Sequence, residues 1–197
     1  MTESVVLLDE EGRAAGTADK VKVHSAHTPL HLAFSCYLFD SDGAVLVTRR
    51  ALHKRSFPGV WTNSCCGHPA PGEPIDEAVR RRVEQELGLQ VDDLRLVLPR
   101  FRYRAEQDGL VENEMCPVFV ADARAVLRPD PDEVAEARWE PWRPFRAGVL
   151  DGNREVSTWC REQVAQLPED LQHAPAASWD DLPPAAQPDA RQDPTGH

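Results

Sequence analysis

Apolar and polar positions along this chain fall into short patterned runs that outline its elements. Val5-Val-Leu-Leu8 reads as a strand and Glu10-Glu-Gly12 as the turn that closes it. Residues 31–39 are apolar and β-prone, and Ala44-Val-Leu-Val-Thr48 is a second such run. Asp40-Ser-Asp-Gly43 between them has the composition of a hairpin turn. In residues 74–87 the period changes: Ile75, Ala78, Val79, Val83 and Leu87 recur at helical spacing. Pro74 suits a first turn, Asp76 and Glu77 suit the positive end of the helix dipole, and Gly88 suits the C-terminal cap.

Past this helix, strands are expected at 94–98 and 100–104, the latter with Arg100, Arg102 and Arg104 on one face and Phe101 and Tyr103 on the other. A single strand is expected over 112–122, with Pro117 marking an edge or a bulge. A short strand at 137–140 and a helix at 155–167 complete the pattern. From Pro168 the character shifts: the last thirty residues hold six prolines and six acidic residues, and few large apolar ones. The expected organisation is one domain over 1–167 and a Pro/Asp-rich disordered tail over 168–197. Many strands around one strong helix imply an α+β or α/β/α fold.

Composition adjusts this picture only slightly. The 197 residues suffice for one packed domain, and 41% of them are apolar. A net charge of −11 argues against nucleic acid and anionic membranes as partners. Basic residues nevertheless cluster, at Arg49, Arg50, Lys54 and Arg55 and again at Arg80, Arg81 and Arg82, as a small anionic ligand would require. No apolar run approaches a membrane span, and the first residues have no signal-peptide pattern, so a cytoplasmic location is the default expectation. Five cysteines without framework spacing suit reduced thiols.

The candidate chemistry sits in Trp61-Thr-Asn-Ser-Cys-Cys-Gly-His68, where two thiols and an imidazole crowd together after the Pro58-Gly59 turn. Glu112 and Glu114, two apart in a strand, project to one face and repel unless a cation or a proton lies between them. His24, His31 and His68 have no zinc-finger spacing. Three imidazoles with two carboxylates would favour five- or six-coordinate Mn²⁺ or Mg²⁺, with Zn²⁺ as competitor. Spacing alone does not establish that grouping.

The helix belongs to a longer frame. Gly67-x5-Glu73-x7-Arg81-Arg82-Val83-x-Gln85-Glu86-x-Gly88-Leu89 resembles the Nudix box, G-x5-E-x7-R-E-U-x-E-E-x-G-U, with U aliphatic. Arg82 and Gln85 stand where the hydrolases carry glutamates that hold Mg²⁺. The frame suits binding a diphosphate better than hydrolysing it. Leu30-His-Leu-Ala-Phe34, residues 46–52, the Trp61–Pro69 stretch, Phe101-Arg-Tyr-Arg104 and Val111-Glu-Asn-Glu-Met-Cys-Pro-Val-Phe119 closely resemble the type 1 isopentenyl-diphosphate Δ-isomerases, over about residues 5–159.

That resemblance implies a Nudix-like α/β/α sandwich with a mixed central sheet. It also implies interconversion of isopentenyl and dimethylallyl diphosphate by protonation and deprotonation through a tertiary carbocation. Carried over by motif, Cys66 is the thiol at the alkene, Glu114 its partner across the substrate, and Tyr103 assists Glu114. The metal set is His24, His31, His68, Glu112 and Glu114, holding Mn²⁺ or Mg²⁺, with Zn²⁺ possible. Glu86 approaches a Mg²⁺ carried by the diphosphate, and Lys20, Arg50, Lys54 and Arg82 contact the diphosphate itself. The partner implied is a small prenyl diphosphate, and the expected state a monomer or weak dimer.

Aromatic faces shield a carbocation by ~2 kcal/mol when desolvated. Trp61 and Tyr103 are the candidates, although Trp61 serves equally as core packing. Members of the family carry Pro-Trp-x-Phe-Ser-Pro-Trp near the C-terminal helix, with the first Trp against the carbocation. Here the run is Arg154-Glu-Val-Ser-Thr-Trp159, which matches only the second. Cys65, next to Cys66, is expected to be a packed small residue and His27 a bystander. The alternative activity is a Nudix-type hydrolysis of a prenyl or nucleoside diphosphate.

Overall fold

The patterned runs fold into two mixed sheets, described for residues 3–187 by a computed structural model. In chain order the elements are β1 (Ser4–Leu8), β2 (Ala14–Asp19), α1 (Lys20–Val23), β3 (His31–Leu32), β4 (Phe34–Phe39), β5 (Ala44–Arg50), β6 (Trp61–Thr62), β7 (Cys65–Gly67), α2 (Ile75–Leu87), β8 (Gln90–Leu98), β9 (Arg102–Gln107), β10 (Leu110–Met115), β11 (Val118–Arg124), β12 (Val134–Pro141), α3 (Trp142–Leu150) and α4 (Thr158–Gln166). The smaller sheet has the order β2-β1-β3-β10-β9. The larger has the order β12-β5-β4-β11-β8, with β6 on β5 and β7 on β4.

Two apolar runs serve both sheets. Only Ala33 separates β3 from β4, and only Cys116-Pro117 separates β10 from β11. The two runs lie parallel, pairing Glu114 with His31 in the smaller sheet and Val118 with Ser35 in the larger. Across the junction the ladder continues through Ala33 N to Met115 O and Ser35 N to Pro117 O, each 3.0 Å. The single strand expected over 112–122 is thus two strands in different sheets. Its break falls at Cys116-Pro117, where Pro117 has no N–H to give and Cys116 N turns to Phe101 O at 2.7 Å.

The larger sheet is covered on both faces, so β4 is buried throughout rather than alternating, with Ser35 its one strongly polar residue. Phe34, Cys36 and Leu38 pack with α2 residues Val79, Val83 and Leu87. Tyr37 and Phe39 pack on the other side with Trp142, Phe145 and Trp159 of α3 and α4. This is the expected α/β/α layering. α2 starts after Pro74 and ends at Gly88, whose left-handed φ of 66° lets its N–H reach Glu84 O. Its buried stripe includes the expected apolar positions and also Arg82 and Glu86. α4 begins at Thr158 because Ser157 caps it, accepting from Cys160 N.

β2 and α3 carried no clear signal. β2 is an exposed edge of small residues without alternation, and α3 is one short helix with Pro144 in its first turn.

The expectation of a disordered tail from 168 does not hold for 168–187. Leu171 and Leu182 are fully buried, and Trp179 packs at a tilt against Phe119 with ring centroids 5.7 Å apart. Arg95 donates to Ala174 O and Gln172 O, and Ala185 N reaches Gly12 O at 3.0 Å. A few well-placed apolar side chains anchor a segment whose average composition reads as unstructured. The remainder of the expected tail, 188–197, lies outside the described residues. Among the described residues no helix is long and apolar enough to cross a membrane.

Candidate active site

The signature Thr62-Asn-Ser-Cys-Cys-Gly67 forms a wedge between β4 and β5, which pair directly only at Phe39 and Val45. Side chains take over the missing ladder. Ser64 Oγ donates to Leu46 O at 2.6 Å and accepts from Leu38 N at 2.8 Å. Asn63 Nδ2 donates to Cys36 O and Cys65 O at 3.1 and 2.9 Å. These bonds explain why polar Asn63 and Ser64 can be buried, and they place Cys66 opposite Ser35.

Cys66 faces a cleft of about 560 Å³ whose wall also includes Tyr103, Glu112, Glu114, His68 and Trp159. Because Nδ2 is committed to two carbonyls, Asn63 Oδ1 can only accept, and it receives the Cys66 thiol at 3.2 Å. Burial pushes that thiol up to about 12, so it is neutral and carries a proton at pH 7. The five cysteines are all free thiols. Cys65 is buried in the core beneath α2, as a packed small residue would be.

Register brings the ligand candidates together. His31 on β3 lies beside Glu114 on β10, and His68 follows β7. The ligand atoms of His24, His31, His68 and Glu114 all lie within 4.8 Å of one another. His24 Nδ1 is 3.3 Å from Lys20 O and His31 Nδ1 is 3.0 Å from Pro29 O. A carbonyl can only accept, so each ring carries a proton on Nδ1 and turns its Nε2 toward the other members of the group. Among the described residues neither buried Nε2 makes a hydrogen bond, and that of His31 lies 3.3 Å from Glu114 Oε1. Three imidazoles and a carboxylate with orphaned nitrogens fit a divalent cation.

The charges suit such an ion. Burial drives the His68 imidazole down to about 4, so it is neutral. Burial alone would raise Glu114, but the His68 and His31 rings beside it hold it well below the usual carboxylate range. Glu112 stands apart from this group of four. It accepts from Ser56 Oγ at 3.0 Å and from Tyr103 Oη, also at 3.0 Å. Tyr103 Oη also lies 2.7 Å from Glu114 Oε2. One phenol proton therefore serves two carboxylates. Burial, then the neighbouring Glu114, raises Glu112, so that any further proton resides there.

Lys20, Arg50, Lys54 and Arg82 line the same cleft. Each is already answered by an acceptor: Lys20 by Glu3, Arg50 by Phe57 O, and Lys54 by Glu133. Arg82 pairs with Glu86 one turn along α2 and lies 3.5 Å from Glu133. Burial raises the Glu86 carboxyl, with Arg82 opposing. Glu133 carried no sequence signal, sitting in the turn before β12. Arg82 and Glu86 did carry one: charged residues at apolar-stripe positions of a helix.

Trp61 does not join the site. Its ring lies between the guanidinium groups of Arg138 and Arg154, 4.8 and 5.1 Å from the ring centroid. Arg154 occupies the position where the family motif has its first Trp, and it turns to Glu140 and away from the cleft. The aromatic wall is Trp159, 2% exposed, with Phe57 at 5.2 Å and Tyr103 at 5.5 Å between ring centroids. The second Trp of the motif, and not the first, faces the cleft.

The NUDIX domain model matches residues 29–178. The isopentenyl-diphosphate Delta-isomerase of Mycolicibacterium vanbaalenii is 60% identical over 166 residues, 84% of this chain and 91% of that protein. That of Saccharopolyspora erythraea is 54% identical over 189 residues, 95% of this chain and 96% of that protein. Among solved structures, DR0079 from Deinococcus radiodurans superposes with a TM-score of 0.64 at 18% identity, covering 83% of this chain and 98% of its own. The MutT protein of Methanosarcina mazei does so with a TM-score of 0.54 at 20% identity, covering 70% and 92%. These two likenesses concern the fold alone.

Proposed function

The chain belongs to the Nudix family and, within it, to the isopentenyl-diphosphate Δ-isomerases, and on that premise we propose that it interconverts isopentenyl and dimethylallyl diphosphate for isoprenoid biosynthesis. The observation that carries this reading is a neutral thiol and a Tyr103–Glu114 pair on the wall of one cleft, beside a group of metal-ligating side chains. Moving a double bond by one carbon needs one proton delivered and another removed. Cys66 and the Tyr103–Glu114 pair are the two groups that exchange protons with the substrate.

His24, His31, His68 and Glu114 would hold a divalent cation, with Glu112 tied to them through Tyr103. When bound, that ion supplies positive charge that adjusts how firmly Glu114 holds a proton. Tyr103, with burial and two carboxylates raising it well above the ordinary phenol value, stays protonated and donates. Trp159 and Phe57 exclude water, and Trp159 turns an electron-rich face to a developing cation. Lys20, Arg50, Lys54 and Arg82 hold the diphosphate, and Glu86 faces the Mg²⁺ that the diphosphate carries. The substrate's own charge thereby anchors a tail that carries none, and the alkene is positioned by the diphosphate.

The hydrolase reading is weaker. Arg82 neutralises Glu86 and approaches Glu133, where a hydrolase would concentrate negative charge for Mg²⁺. A decisive experiment incubates the protein with isopentenyl diphosphate and Mg²⁺ in D₂O and follows the products by NMR. Deuterated dimethylallyl diphosphate is expected, absent with Cys66→Ala or Glu114→Gln. Release of phosphate without dimethylallyl diphosphate would establish the hydrolase instead.

A further inference from the structure

Behind the Cys66 thiol, on the side away from the cleft, a chain of polar groups crosses an otherwise apolar core. Ser35 Oγ lies 3.3 Å from Cys66 Sγ and 3.4 Å from Cys116 Sγ. Gln163 Nε2 on α4 donates to Ser35 Oγ at 2.9 Å. Tyr37 Oη, two residues along β4 and on the same face as Ser35, donates to Gln163 Oε1 at 3.0 Å. Ser35, Tyr37 and Gln163 are each 0% exposed. Their neighbours are Val47, Val118, Val164 and Trp159. Apolar residues of the same size would fill this space without polar atoms to satisfy, and such replacements are often neutral or stabilising. The fold therefore gives no reason for the chain to be polar.

Its direction supplies one. The Ser35 oxygen accepts from Gln163 and has a second lone pair for the Cys116 thiol at 3.4 Å, which leaves its single hydrogen for Cys66 Sγ. The thiol hydrogen already goes to Asn63 Oδ1, which can only accept. Cys66 Sγ is thereby held from two sides, by an acceptor for its hydrogen and a donor for its lone pair. A thiol otherwise chooses freely among three rotamers, and exchanging protons with a substrate in the cleft it shares with Tyr103 and Glu114 requires one of them. We propose that Ser35 is the positioning residue of the Cys66 thiol and that Gln163 and Tyr37 fix the direction of its hydroxyl. This rests on the reading of Cys66 as a proton-transferring group, tested separately by Cys66→Ala.

The test compares wild type with Ser35→Ala, Gln163→Leu and the double variant. For each it measures kcat, KM for isopentenyl diphosphate and the thermal midpoint. None of these side chains touches the cleft cations, so KM should stay within about twofold. Loss of the rotamer should lower kcat by about 10²-fold, the order that a misplacement of ~1 Å costs. The double variant should lose no more than the worse single variant, because both cut one chain. Its thermal midpoint should fall no further than that of Gln163→Leu alone, since in both the group that loses its acceptor is Tyr37 Oη, which keeps only Cys160 Sγ at 3.7 Å. An unchanged kcat in all three variants would overturn the proposal, as would losses that simply multiply. A lowered midpoint with full kcat in the folded protein would reduce the chain to a structural one. If Ser35→Ala or Gln163→Leu alone unfolds, the double variant decides the matter by itself. If Cys66→Ala retains full activity, the functional reading fails first. If Cys66→Ala is inactive while the network variants are normal, only this inference fails.

Discussion

At the scale of single residues, the site is governed by which protons burial permits. Cys66 stays a thiol, Tyr103 a phenol and His68 a neutral imidazole, each because its charged form has lost water. The histidines also set how stability depends on pH in the metal-free protein. His68 falls from 6.5 to about 4, so between those values the unfolded chain binds the extra proton and stability drops as pH falls. The loss is at most about 3 kcal/mol. His31 is raised above 6.5: burial opposes this, but the Glu114 bond outweighs it. Its contribution is complete below 6.5 and is lost as pH climbs through the raised value. The two together predict a maximum in the thermal midpoint near pH 6.5. A midpoint that rises steadily from pH 4 to pH 9 in chelator-treated protein would contradict the assignment. The grouping of His24, His31, His68 and Glu114 was legible in the sequence through motif resemblance. Ser35, Gln163 and Glu133 were not, because a lone polar residue in an apolar run announces no partner.

Among elements, α2 and the strand before it are fitted to each other at Gly67. A Cβ there would meet Arg82 Cγ and the Phe34 ring, both at 2.9 Å. Gly67 is thus needed for close approach, since its backbone has no left-handed requirement. It lets a charged helix residue pass under the strand that carries Cys66 and leads to His68. Gly67→Ala should push Arg82 out of the cleft, weakening isopentenyl diphosphate binding about tenfold and lowering stability by ~1–3 kcal/mol, the usual result of overpacking. Isothermal titration with the substrate and denaturant unfolding would measure the two, and wild-type affinity would contradict the fit. The helix itself was easily read, from its period and both ends. The split of 112–122 was not, since each half alternates normally and only pairing partners reveal two sheets. The Trp exchange was hidden for a similar reason: Trp61 and Trp159 are equally aromatic on paper, and only Arg138 and Arg154 settle which one is occupied elsewhere.

For the molecule as a whole, the described chain closes on itself. Residues 168–187 pass over the β8 face and reach the β1–β2 turn, where Ala185 binds Gly12 and Pro183 lies close above it. Leu182→Ala should therefore cost 2–5 kcal/mol, as for a core leucine. Unchanged unfolding in urea would show the segment to be dispensable. Composition misjudged this segment because anchoring needs a few contacts, while disorder is inferred from averages. Net charge is a poor guide to the cleft: in a chain at −11, Lys20, Arg50, Lys54, Arg55 and Arg82 line one cavity, each paired with a carboxylate or a backbone carbonyl.

The paired passage of β3–β4 and β10–β11 between the sheets has a consequence for how such a chain can change over time. Side chains alternate with a period of two, so a deletion or insertion of one residue at Ala33 or at Cys116-Pro117 would invert everything on one side of it. His31 and Glu114 belong to one side, and Ser35, the partner of Cys66, to the other. The strand that pairs with Cys66 and the His31–Glu114 pair are thus kept in phase by the length of these junctions. Hairpins elsewhere are free to lengthen or shorten, but these two junctions admit no change of odd number. Variation among descendants of this chain should therefore accumulate at the hairpin tips and stop at the seam.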